Sequence, residues 1–478
     1  MVSRRVLLPL AAALAVAACG DQQEPTAVNP TDAPASAASS NGTVGLNVLL
    51  KTAPTPAMLA ELGKFGTSIE LIRPINGLTM AGKASSLPSI RALSYVAGAN
   101  VDVGVTGSPI DLVEVQDFTG GLGTWNLDAI DVTLQPFSAA RISQTGEGVY
   151  IGVLDSGLLD SWRQYFPQER IAAQYAKSFG GGHGNGNISE QPNKWEHDVD
   201  AHGTHVTSTI LGFQFGVNQI NGAAPKATVI PVKVLGQAGG GSSAAVAEGI
   251  LYIASLKAGP LSGHPVVINL SLGGPAPDVL TQAAVDLAVG QGVILVASAG
   301  NGGADGGLTY PAAYPNVISV AAAGWVGEWR TCGSTGIQSD VNFWWVACDV
   351  PDPNAASNFY ITDFSSRAKA GQDLDVAAPG SWVVGPFQLS LGKPSYFFVG
   401  GTSEASPHVA GIVALMAQKF PALTAAQAET ILQNTALPLP AGSRTITTID
   451  GQLETVTWGD DAPGSGLANA AAAVAGTP

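Results

Sequence analysis

The chain has 478 residues, more than one ordinary domain needs and enough for a large domain with additions. Hydrophobic residues make up 46% against 12% charged, so a sizeable buried core is available. The formal net charge of −15 excludes an electrostatic grip on nucleic acid, which needs clustered Lys and Arg.

Residues 1–19 read as an export signal. Arg4 and Arg5 give a short basic start, an apolar stretch follows, and small residues lead to Cys19. The stretch is too short for a comfortable membrane span. The ending VAAC resembles the lipobox of bacterial lipoproteins, which implies a lipid on Cys19; a plain secretory signal with a chance cysteine is the alternative. Either way the chain is expected outside the cytoplasm, extracellular or in the cell envelope, with no membrane contact other than a lipid at Cys19. With Cys19 so used, Cys332 and Cys348 remain, and an exported protein predicts a disulfide between them rather than two free thiols. Residues 20–41 are polar and proline-rich and read as a disordered tether.

Residues 42–105 predict a small α+β, ferredoxin-like unit in the order βαββαβ: TVGLNVLLK, TPAMLAELGKFG, SIELIRPI, GLTMAGK, SSLPSIRALSYV, ANVDVGV. Thr55-Pro56 and Ser85-Ser86 open its helices, and Gly63 closes the first. Residues 106–124 are glycine-rich and read as an irregular linker. Residues 125–478 carry continuous apolar runs, GVYIGVLD, ATVIPVKVL, PVVINLSLGG, GVILVASAGN, VISVAAAG and LDVAAPG, separated by helical stretches. Continuous runs suit strands covered on both faces, so this part predicts an α/β fold with a mostly parallel, doubly wound sheet. Working residues in such folds gather beyond the carboxyl ends of the strands.

Four separated stretches carry chemistry there. In GGTSEASPHVAG, Ser403 stands at the start of an apolar helix, where free N–H groups can stabilise an oxyanion; the bland reading is a helix-capping serine. A serine needs a base. His202, in DAHGTHV, is flanked by small residues and suits that task. Asp155 ends the run GVYIGVLD, where a charge is expensive unless partnered, and can orient the histidine. Asn301, in SAGNGG, can donate its amide to an oxyanion; a turn asparagine is the simpler reading of that stretch alone.

Together VLDSG, HGTHV, SAGNGG and GTSEASPHVAG, in this order, resemble the subtilisin-like serine proteases, from about Trp125 to the closing GSGLANAAAAV. The resemblance implies a serine endopeptidase that hydrolyses peptide bonds through an acyl-enzyme. Ser403 would be the nucleophile, His202 the general base, Asp155 its orienting acid and Asn301 part of the oxyanion hole. Ser271, Leu272, Gly273 and Gly274 would form the edge that pairs with substrate backbone, and Ala299, Gly300 and Tyr310 would wall the pocket before the cut. His205 and His408 match positions that are usually structural. The small upstream unit resembles the family's inhibitory propeptide, which implies a self-processing zymogen cut somewhere between about 103 and 124. The implied partners are protein or peptide substrates and the chain's own propeptide, with a monomeric enzyme. No cofactor is required, and structural calcium is compatible with the family. A catalytically silent binding protein of the same fold is the alternative. A zinc hydrolase built on His197, Asp198, Asp200, His202 and His205 leaves the serine and asparagine stretches unexplained. One departure stands out: the family usually has methionine after the nucleophile, and this chain has Glu404. A carboxylate there predicts a raised histidine pKa, and with it a shifted pH optimum or an altered leaving-side preference.

Overall fold

The structure is a computed structural model that describes residues 42–115, 125–133, 141–179, 194–216, 218–329, 350 and 352–478. Cys19, Cys332 and Cys348, expected to carry a lipid and a disulfide, lie outside the described residues, as do the stretches read as an export signal and a tether.

The N-terminal unit has the predicted element order: β1 (Thr43–Leu50), α1 (Pro56–Leu62), β2 (Gly66–Ile72), β3 (Gly77–Lys83), α2 (Leu87–Arg91) and β4 (Val96–Val101). Its strands form one antiparallel sheet in the order β2-β3-β1-β4. α1 starts where it does because the Thr55 side chain accepts from Met58 N and Pro56 takes the first position; Gly63 closes it. Alternation along β1 sends Leu46, Val48 and Leu50 into a core with Leu62 and Ile90. Leu49 faces the other way and joins the core of the large unit.

The described segment 104–115 is more ordered than its glycine content suggests. It contains β5 (Gly104–Thr106) and β6 (Asp111–Glu114), followed by α3 (Trp125–Ala129). Both strands pair with distant parts of the chain, so no local pattern announces them.

The large unit contributes β7 (Tyr150–Asp155), β8 (Lys177–Ser178), α4 (His202–Leu211), β9 (Gly212–Phe215), β10 (Asn218–Asn221), β11 (Thr228–Lys233) and β12 (Gly240–Ser242). It continues with α5 (Ser243–Ala258), β13 (Val266–Leu270), α6 (Val279–Gly290), β14 (Val293–Ser298), β15 (Val317–Trp325), β16 (Phe359–Ile361), β17 (Val376–Pro379) and β18 (Val383–Phe387). β19 (Ser395–Gly400) and α7 (Thr402–Lys419) complete the part that holds the site. The central sheet runs β16-β15-β14-β13-β7-β11-β8, with β17 beside β15. Its pairings are parallel except for β15 with β16. β13, β14 and β15 are buried along their whole length, as their unbroken apolar runs predict. β11 lies on one side of β7 and β13 on the other, so the chain reverses its direction of build there and leaves a crevice at the carboxyl ends.

α7 is buried from Thr402 to Ala417 and threads the middle of the core. At its far end Lys419 Nζ donates to Val474 O at 2.9 Å and Thr477 O at 2.6 Å, next to a short helix over Ala470–Gly476. None of the helices among the described residues is long and apolar enough to cross a membrane.

Candidate active site

Asp155, the last residue of β7, and His202, the first of α4, meet at the crevice. His202 Nδ1 donates to Asp155 Oδ1 at 2.9 Å and lies 3.1 Å from Oδ2. Both side chains are fully buried. Ser156 N donates to Asp155 Oδ1 at 2.6 Å, which fixes the carboxylate from behind. Gly203 is required by this packing: a Cβ there would sit 2.3 Å from Gly157 O, so only glycine lets α4 approach the turn after β7. Burial alone would lower the His202 pKa. The attraction of Asp155, its hydrogen bond, and the charges of Glu404 and Asp200 overcome that and push it up to about 10.

Ser403 stands in the first turn of α7, 3% exposed. Its hydroxyl donates to Ser271 O at 3.2 Å, and Ser271 Oγ donates to Ser403 O at 2.6 Å. His202 Nε2 has no hydrogen-bond partner. The structure therefore joins Asp155 to His202 directly and leaves the serine hydroxyl turned to Ser271. Hydrogen bonds of this kind are often long or misaligned before substrate binds. Asn301 Oδ1 accepts from Thr402 N at 2.9 Å and Thr402 Oγ1 at 2.8 Å. With its oxygen engaged in this way, the amide turns its NH₂ toward the start of α7.

The edge residues lie beside this group. Leu272 is buried, while Gly274 N donates to Tyr310 O and Tyr310 N to Gly274 O, both at 2.9 Å. Ala299 O accepts from Thr309 N at 2.9 Å, and Gly300 N donates to Thr402 Oγ1 at 3.1 Å. At Gly273 a Cβ would stand 2.2 Å from Thr309 Oγ1, so the edge must be bare there.

Two features gave no signal in the sequence. Ala201, just before His202, has φ +70°, a left-handed conformation unusual for alanine. Thr402 pins Asn301. Glu404 is 0% exposed and points inward: its Oε1 lies 3.6 Å from His205 Nδ1 and 4.0 Å from His202 Nε2. His205 Nε2 donates to Val383 O at 3.0 Å, and Asp198 Oδ2 accepts from Ser156 Oγ at 2.9 Å, so these two groups of the 197–205 stretch have partners of their own. Among the described residues, carboxylates close enough to share an ion occur at Asp373, Asp375 and Glu429. Asp375 is already engaged there by Ser319 and Gln433.

A family model for the subtilase family matches residues 146–466, well over half of the chain. The chain belongs to the subtilase family. This subtilase is 33% identical over 295 residues to M-protease of Shouchella clausii (strain KSM-K16), a match covering 62% of this chain and 60% of that protein. It is equally identical, 33%, to Subtilisin Savinase of Lederbergia lenta, covering 62% of this chain and 86% of the relative. Among solved structures, a protein titled S41 Psychrophilic Protease shares 27% identity with a TM-score of 0.53, over 73% of this chain and 99% of that one. Fervidolysin from Fervidobacterium pennivorans, a keratinolytic enzyme related to subtilisin, shares the fold at 23% identity and a TM-score of 0.61, over 91% of this subtilase and 61% of its own chain.

Proposed function

We propose that this subtilase is an exported serine endopeptidase, made as a zymogen whose N-terminal unit is its inhibitor. The observation that carries the reading is the buried Asp155–His202 hydrogen bond at the carboxyl end of β7, with Ser403 bonded to Ser271 just beyond the carboxyl end of the neighbouring β13. A turn of the Ser403 hydroxyl from Ser271 O toward His202 Nε2 brings the proton to its acceptor. Ser403 Oγ then adds to the substrate carbonyl carbon, His202 takes the proton, and Asp155 steadies the imidazolium. The Asn301 amide and the Ser403 backbone N–H receive the oxyanion. His202 returns the proton to the leaving amine, and water hydrolyses the ester by the same steps. Substrate backbone would pair with Gly273 and Gly274, which demands little of sequence and suits general proteins or peptides. The enzyme would act without a cofactor and as a monomer, with calcium, if present, serving the fold.

A fluorophosphonate probe applied after removal of the N-terminal unit tests the reading. One equivalent should attach at Ser403, and Ser403→Ala should abolish both labelling and peptide turnover. A probe-silent parent with normal folding would instead mark a binding protein of this fold.

A further inference from the structure

The segment leaving the N-terminal unit runs through the cleft from one side of the nucleophile to the other. β5 pairs with β12, Thr106 opposite Gly240 and Gly104 opposite Ser242. On its other edge Thr106 N donates to Gly273 O at 3.0 Å and Gly273 N donates to Thr106 O at 2.9 Å. Gly107 N then donates to Gly239 O at 3.1 Å. A Cβ on Gly107 would lie 2.9 Å from Ser271 O and 3.4 Å from His202 Cε1. Residue 107 thus lies between the carbonyl that accepts the Ser403 hydroxyl and the imidazole. The segment is held again at Ile110, whose N donates to Gly400 O at 2.8 Å, and β6 continues antiparallel to β19 with Asp111 opposite Gly400. Gly400 precedes Ser403 by three residues. With 107 fixed on one side and 110 on the other, Ser108 and Pro109 are the two residues that cross the nucleophile.

Resting on the peptidase reading above, we propose that Ser108–Pro109 is the bond presented to Ser403 and that Pro109 keeps it from being cut. The whole chain then occupies both sides of its own cleft as a substrate that does not turn over. Cleavage would require Ser403 Oγ to add to the Ser108 carbonyl carbon while His202 takes the hydroxyl proton. The nitrogen of residue 109 must then accept that proton as the C–N bond breaks, leaving Ser108 as an ester for water to hydrolyse. An ordinary residue has only a hydrogen beside the nitrogen lone pair. Proline has its ring Cδ there, between the lone pair and the imidazole, and it also restricts the residue before it. Activation therefore needs a cut at another bond or withdrawal of the segment.

The test compares three full-length chains by intact mass and N-terminal determination: the parent, Pro109→Ala, and Pro109→Ala with Ser403→Ala. The Pro109→Ala chain should convert to a product beginning at residue 109, the double variant should not, and the parent should stay continuous across this bond. A parent that cuts itself between 108 and 109 overturns the proposal. So does a Pro109→Ala chain that stays whole there although, once bead-bound glutamyl endopeptidase has cut after the exposed Glu114 and been removed together with the released N-terminal piece, it turns over a reporter peptide. A stripped parent that turns over no peptide sinks the peptidase reading itself and this proposal with it.

Discussion

Both oxygens of the Glu404 carboxyl are buried without a hydrogen bond, within reach of two imidazoles. Burial pushes its pKa up to about 7 from 4.5, against the pull of His202; the charges of Asp155 and Asp111 push it further. His205 is held neutral, its pKa lowered to about 3 by burial and by His202, and burial likewise lowers that of His408, whose Nδ1 lies 2.8 Å from Glu404 O. Ionised Glu404 thus sets a second carboxylate against His202, on the Nε2 side opposite Asp155, and favours the protonated imidazole, which cannot serve as the proposed base. Glu404→Gln should move the acid limb of kcat/KM to lower pH; rate profiles of both stripped enzymes that coincide would discard this. The stability sign follows from the same shift. The unfolded carboxyl ionises near 4.5 and the folded one near 7, so stability falls as pH rises through that window and the penalty persists above it. His202, raised from 6.5 to about 10, adds stability that is full below 6.5 and is lost as pH climbs through 10. Thermal midpoints measured from pH 4 to pH 9 should therefore decline less in Glu404→Gln than in the parent. At the oxyanion, Asn301→Ala should cost on the order of 10²–10³ in kcat, a magnitude taken from a relative in this family rather than from this geometry. Stripped enzyme and a peptide ester would measure it.

On the proposed function, the edge strand around Gly273 would work through backbone alone. A side chain there meets Thr309 and would push the edge away from the strand that pairs with it. Gly273→Val should lower kcat/KM for extended peptides by about ten- to a hundredfold, the worth of two hydrogen bonds, and spare a short ester that does not reach the edge. Equal losses on both substrates would refute this role. The same contrast explains what could be read beforehand. β7, β13, β14 and β15 are legible because burial on both faces forces unbroken apolar runs. β6 and β12 are not, because Asp111–Glu114 and Gly240–Ser242 owe their conformation to partners far along the chain. The site was legible as four short stretches, since the small residues around His202 and Ser403 are demanded by close packing. The inward turn of Glu404 and the Ser403–Ser271 contact depend on side-chain geometry that no spacing encodes.

The two units of the molecule meet over the starts of α5 and α6. Asn47 Nδ2 bridges Asp102 Oδ1 at 3.1 Å, Ser243 Oγ at 3.1 Å and Asp278 Oδ2 at 2.7 Å, while Asn100 Nδ2 also donates to Asp278 Oδ2 at 2.7 Å. Asp102 accepts from Ala244 N at 3.1 Å, so a carboxyl of the N-terminal unit caps a helix of the large one. Burial and the facing Asp278 raise its pKa to about 6 from 3.8. Docking therefore prefers protonated Asp102: attachment weakens as pH rises from about 3.8 to about 6 and stays weaker above. After a cut in the connecting segment, gel filtration should retain the N-terminal unit better at pH 5 than at pH 8, and Asp102→Asn should flatten the difference. Equal retention of the parent at both pH values would discard the idea.

The helix that carries Ser403, α7, is tied down at its other end by Lys419, through carbonyls of Val474 and Thr477. Those carbonyls follow α7 in the chain and are synthesised after it. During biosynthesis the N-terminal unit emerges before the large one, and the clamp on α7 only after α7 itself, so on the proposed function a half-made chain is expected to carry its brake before its blade is set.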